Sequence, residues 1–94
     1  MNEGVACFPD AVTQRGRKHL IELQRLAAEG NRSVIFYCIQ RMDAECFRPA
    51  DQIDAAYGEA LREAHLNKGV EILVYDVWMD LERIVLNRKI PFKL

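Results

Sequence analysis

No stretch of this 94-residue chain approaches the roughly 20 consecutive apolar residues that cross a bilayer. Met1-Asn2-Glu3-Gly4 is polar and acidic, without the apolar region of a secretory leader. A membrane span and a signal peptide are therefore not expected, and the cytoplasm is the expected compartment. Cysteine is scarce: Cys7, Cys38 and Cys46 are odd in number and lack CxxC spacing, against both a disulfide framework and a zinc site. An excess of one charge sign is also lacking. With a net charge of −1, the chain cannot hold nucleic acid by bulk positive charge. P-loop, dinucleotide and Ser/His/Asp signatures are all absent. No cofactor, no metal site and no catalytic residue is expected in the chain itself.

What is present suits one small domain over residues 1–94: half the residues are hydrophobic and 29% are charged. Residues 1–42 carry six Lys/Arg against four Asp/Glu, whereas 43–94 carry seven against ten. This is a slight positive bias at the front.

Val5-Ala6-Cys7-Phe8 reads as the end of a strand. A helix then runs to about Glu29, with Asp10 or Thr13 as its N-cap and Gly30 as its stop. At 100° per residue Val12, Gly16, Leu20, Leu23, Leu26 and Ala27 share one stripe, with Arg17, Lys18, Glu22, Arg25 and Glu29 opposite. Ser33 to Ile39 is an unbroken β-branched and aromatic run, read as a central strand buried on both faces. Met42 to Ala50 reads as a loop. Ile53 to Lys68 reads as a second helix with Asp54 near its start, a stripe of Ile53, Tyr57, Ala60, Leu61 and Ala64, and Gly69 as its stop. Strands follow at Val70 to Met79 and Arg83 to Lys89, turning at Asp80. The order helix, strand, helix, strand, strand requires a parallel crossover, hence an α/β fold: a mixed sheet flanked by helices.

The chemistry-bearing residues concentrate where the first helix begins, because free N–H groups and the positive dipole end attract anions there. Arg15 and His19 lie one turn apart. His19 admits two readings: a core histidine with bonded ring nitrogens, or a cleft residue projecting with Arg15 toward a phosphate. Arg17 and Lys18 sit on the wet side, where Glu22 is available to Lys18. Gly16 suggests close backbone approach to the sheet. Gln40 ends the strand at the carboxyl side, where α/β sheets place their sites. Cys38 reads as packing and His65 as surface.

Phe8-Pro9-Asp10-Ala11-Val12-Thr13, Arg15-Gly16, Lys18-His19-Leu20 and Glu22-Leu23 together resemble the sugar fermentation stimulation protein family. The likeness continues through the strand closed by Gln40-Arg41, Phe47-Arg48-Pro49-Ala50-Asp51-Gln52-Ile53-Asp54 with Tyr57, and Gly69-Val70-Glu71-Ile72-Leu73. The resemblance implies a partial restriction-endonuclease-like (PD-(D/E)xK) domain, its C-terminal half, in a bacterial DNA-binding protein. It implies nucleic-acid contact by Arg15, Arg17, Lys18, His19 and Gln40. The sequence has no Glu-x-Lys or Asp-x-Lys, so the nuclease carboxylates and lysine are missing from it, and Pro9-Asp10 is not their counterpart. DNA is the expected partner. The alternatives are one wall of a metal-dependent nuclease whose carboxylates lie upstream, or a structural, oligomerising module without activity. The strands absent relative to the family would lie beside Ser33 to Ile39, so self-association through that edge is also expected.

Overall fold

The computed structural model describes residues 4–40 and 43–94. Among these residues five strands, two α-helices and one π-helical segment follow in the order β1 (Val5–Phe8), α1 (Gln14–Ala28), β2 (Val34–Ile39), β3 (Cys46–Pro49), α2 (Ala55–Arg62), the π-helical Glu63–Asn67, β4 (Glu71–Met79) and β5 (Ile84–Lys89). They build two sheets among the described residues. One pairs β1 with β3 in parallel; the other has the order β2-β4-β5, parallel between β2 and β4 and antiparallel between β4 and β5. The β2–β4 pairing is the parallel crossover that the element order requires. The architecture is mixed α/β with helices flanking the sheets.

Thr13 is the α1 cap: its Oγ1 accepts from the Gly16 N–H at 3.0 Å, which leaves Asp10 outside the helix. The helix ends before Gly30, whose φ of +93° is open to glycine alone at little cost. Leu20 is fully buried, with Leu23 and Ala27 packed against the core, so that part of the stripe holds. Val12 precedes the helix and is 70% exposed, because a stripe buries a side chain only where helix continues. Asp54 caps α2 by accepting from the Tyr57 N–H at 3.0 Å, and Tyr57, Leu61 and Ala64 are buried. Ile53 stands before the helix and is exposed.

Three expectations need correction. The loop read over Met42 to Ala50 contains β3, whose register with β1 runs from Val5–Cys46 to Phe8–Pro49; Met42 lies outside the described residues. Pro49 lacks a donor, but as the last residue of a short strand it interrupts no ladder. Second, β2 is an edge strand, not a central one. Its Ile35 and Tyr37 are buried while Phe36 and Cys38 are exposed, an alternation hidden by the uniformly apolar sequence. Cys38 therefore does not pack in the core. Third, His65 is half-buried: Nδ1 lies 2.9 Å from the Val70 carbonyl and the ring meets Phe92 edge-on.

One core joins the two sheets. Phe8 of β1, Tyr37 of β2, Phe47 of β3 and Tyr57 of α2 form a ring cluster with centroid separations of 4.5 to 5.5 Å. The Tyr37 and Tyr57 hydroxyls hydrogen-bond to each other inside it. Phe47 is also bonded on its free side, its N–H to Pro91 O and its carbonyl from Lys93 N–H, which ties the C-terminus to the small sheet.

Candidate functional site

The β1–α1 connection decides where the candidate residues sit. β1 ends at Phe8, whose ring joins the core cluster, and the chain turns at Pro9 to enter α1 at Thr13. Asp54 fixes this entrance from the other helix: Oδ2 accepts from the Thr13 N–H at 2.9 Å while Oδ1 accepts from Tyr57. Its pKa lies below the ordinary carboxylate range because of the backbone donors of Thr13 and Tyr57, with the Arg17 charge adding to them. A single buried carboxylate thus ties the starts of both helices.

Gly16 makes that junction possible. A Cβ there would stand 2.9 Å from Thr13 Cγ2 and 3.1 Å from Tyr57 Cε2. The close approach is to the α2 tyrosine and to the cap, rather than to the sheet.

From this base the structure distributes the five sequence candidates. His19 is exposed and lines a hollow of about 540 Å³ with Phe8, Gly16, Phe36, Tyr37 and Tyr57, which excludes the core reading of its ring. Gln40, just beyond β2, lines a second hollow of about 270 Å³ with Cys7, Phe8, Asp10, Tyr37 and Cys38. The two hollows share Phe8, Tyr37 and Cys38, so His19 and Gln40 border one cleft along the outer edge of β2. The Gln40 Nε2 also reaches Met79 Sδ at 3.3 Å.

Arg15 and Lys18 are exposed and line neither hollow. Arg17 faces a smaller recess with Val12, Thr13, Gln14, Asp54 and Ala56. Among the described residues Arg15, Arg17 and Lys18 make no ion pair, although Arg25, Arg32, Arg62, Arg83 and Arg88 all do. Glu22, the expected partner of Lys18, is held instead by Arg25, which also binds Glu29 and so bridges both acids. No acidic residue lies in the first turn of α1. The entrance therefore offers three cations without an ion-pair partner among the described residues, Arg17 being partly offset by the charge of Asp54, on one rim with the cleft of His19 and Gln40 beside them.

Sequence reasoning missed the cleft wall. Cys38 reads as packing, and only period-two alternation along β2 would have turned it outward. Among the described residues no group of three or more His, Cys, Asp or Glu side chains gathers to hold a metal ion. No helix among them is long and apolar enough to cross a membrane.

Residues 1–83 match the family model described as "Sugar fermentation stimulation protein RE domain". A sugar fermentation stimulation protein homolog of Pseudomonas putida (strain GB-1) is 54% identical over 90 residues, covering 96% of this chain and 38% of that protein. The homolog of Pseudomonas aeruginosa (strain LESB58) is 53% identical with the same coverage. A solved structure, Pyrococcus furiosus SfsA in complex with Ca2+, superposes with a TM-score of 0.88 at 29% identity, over 100% of this chain and 41% of that one. The chain thus spans well under half the length of the relatives it matches. The architecture agrees with the partial nuclease-like α/β domain expected from the sequence. The Ca2+ belongs to the Pyrococcus protein; the described residues here supply no matching donor cluster, and no chemical step is assigned to a metal in this chain.

Proposed function

The chain belongs to the sugar fermentation stimulation protein family, and from that premise we propose that it binds duplex DNA through its phosphates at the α1 entrance. The observation that carries this reading is the set of three cations without ion-pair partners at a helix start that has no acid in its first turn. Arg15 and Lys18 are the principal contacts. Arg17 contributes less, since the Asp54 carboxylate draws on its charge. His19 and Gln40 contact the nucleic acid where it passes the cleft, His19 as a ring donor and Gln40 through its amide. Residues 1–94 act as one domain, the C-terminal half of a nuclease-like unit, in the cytoplasm.

Each phosphate neutralised releases counterions, so affinity falls with salt at a logarithmic slope of about −0.9 per contact. Fluorescence anisotropy with a labelled duplex tests this. Arg15→Ala should weaken binding uniformly across sequences and make the slope shallower by about 1. An undetectable or salt-independent affinity would refute the proposal.

A second reading is favoured by the position of His19 and Gln40 on one cleft along an open strand edge. In longer relatives this cleft would be one wall of a metal-dependent nuclease site. The chain itself lacks Glu-x-Lys, so no nicking of supercoiled plasmid with Mg2+ is expected. Cleavage that survives purification would overturn this.

A further inference from the structure

Two open strand edges border the β2-β4-β5 sheet, and they differ. The β2 edge is recessed, since Phe8, Gly16 and His19 line the space beside it. Phe36 is also covered on one side, stacked on Tyr75 at 5.4 Å. The β5 edge stands clear: every residue from Ile84 to Lys89 is exposed. The outer half of the β4–β5 hairpin exposes apolar side chains on both faces, with the Arg83 guanidinium 5.6 Å from the Trp78 ring centroid on one of them. Met79, Ile84 and Leu86 are 43%, 62% and 52% exposed, and the cross-strand pair Trp78–Val85 is 48% and 39% exposed. The devices that normally blunt an edge, such as lysine or proline within the strand, are absent from Ile84-Val85-Leu86.

The ladder also shows which backbone groups are open. Asp80 N–H bonds to Arg83 O at the turn, so antiparallel alternation directs the N–H and C=O groups of Ile84 and Leu86 away from β4. Beyond Leu86 the register shifts by one residue, which confines a regular open edge to the three residues before the bulge.

We propose that this edge pairs antiparallel with the same edge of a second copy, about a two-fold axis at Val85. In that register Ile84 exchanges backbone hydrogen bonds with the partner's Leu86, and Val85 faces the partner's Val85 at a non-hydrogen-bonded position. Trp78 and Val85 then join their symmetry mates on one face, rimmed by the Arg83 guanidinium over Trp78, and Met79, Ile84 and Leu86 form a continuous apolar surface on the other. Charge favours the antiparallel direction: Asp80 is paired with Arg83 and Arg88 with Asp76, which leaves Glu82 in the turn of each copy to lie near Lys89 at the far end of the other. An isologous contact of this kind closes on itself and leaves no further edge at β5.

Sedimentation equilibrium over a dilution series should give a mass rising from monomer to dimer. Val85→Lys should hold the chain monomeric, with an unchanged circular dichroism spectrum certifying the fold. Glu82→Lys, in the exposed turn, should weaken association several-fold and reverse part of its salt dependence. Phe36→Lys on β2 should leave association unchanged. Facing non-hydrogen-bonded residues lie at disulfide range, so mild oxidation of Val85→Cys should yield a peptide linked between the two copies at position 85. Leu81→Cys should yield no self-linked peptide. A monomer at every concentration, or association retained by Val85→Lys and lost in Phe36→Lys, would overturn the proposal.

Discussion

The ring cluster around Phe47 and the outer half of the β4–β5 hairpin draw on the same kinds of residue and end in opposite environments. In the cluster Phe8, Tyr37, Phe47 and Tyr57 come from four separate elements, and Phe47 is only 2% exposed. In the hairpin Trp78, Met79, Leu81, Ile84, Val85 and Leu86 come from two strands and their turn, and Leu81 is fully exposed. Hydrophobicity alone therefore does not bury a side chain. Burial needs enough elements converging from different directions, and two strands have only each other. The polar groups follow the same division. The Asp54 carboxylate bonds to both helix starts in the first region, whereas Asp80 caps only its own turn in the second, through the Glu82 and Arg83 N–H groups.

The largest contrast is expected from removing one large apolar side chain in each region. Phe47→Ala should cost about 3–5 kcal/mol, a large share of the roughly 5–15 kcal/mol that stabilises a domain of this size. Leu81→Ala should stay within about 0.5 kcal/mol. Urea denaturation of the two variants measures both, and similar losses would erase the distinction.

A smaller effect is expected at the helix junction. Gly16→Ala gains about 1 kcal/mol of helix propensity, yet its methyl must displace Thr13 and the buried Tyr57 ring. Overpacking of this kind costs about 1–3 kcal/mol. The net change in melting temperature should be downward, and a rise would mean that the junction yields freely.

Little of this division was legible beforehand. The helices were, because capping residues and glycine stops act locally: Thr13, Asp54, Gly30 and Gly69 all end or begin elements where their chemistry directs. The alternation of β2 was not, since Val34 to Ile39 is apolar at every position and carries no sign of which face is wet, and its open edge was legible only through the family resemblance. β3 was hidden because its four residues, two of them Arg48 and Pro49, look like a turn until β1 is paired beside them. The candidate site divided likewise. The cationic rim could be read from α1 alone, but the cleft joining His19 to Gln40 depends on the placement of β2 against β1, a tertiary fact.

A pH series sharpens the account of the anchored region. Asp54 has a folded pKa below its unfolded value, owing first to the Thr13 and Tyr57 N–H groups. Its contribution is therefore present above the ordinary carboxylate pKa of about 3.9 and is lost as pH falls through the lower folded value. The Asp51 carboxyl, bonded by Arg62, acts in the same direction. Melting temperature should fall on acidification below about pH 4, and Asp54→Asn should flatten part of that fall. At the alkaline end Tyr37 and Tyr57 are both raised, chiefly by burial. Their contribution holds below about pH 10 and declines above it, so an ultraviolet titration should show Tyr37 and Tyr57 ionising only as the fold opens.

The smallest effect expected is on the exposed helix face. Glu22→Gln loosens Arg25, which retains Glu29, so thermal stability should barely change. DNA affinity should stay level or rise slightly through the lost negative charge, measured in the same anisotropy assay.

Under the two proposals the regions serve different partners, DNA at the anchored entrance and another copy at the bare hairpin. Backbone amide NMR spectra, recorded during titration with a short duplex and again during dilution without DNA, test this in one sample. The duplex should shift the amides of residues 14–19 and Gln40, whereas dilution should shift those of residues 78–86. A duplex that perturbs the hairpin and leaves the α1 entrance untouched would contradict the account.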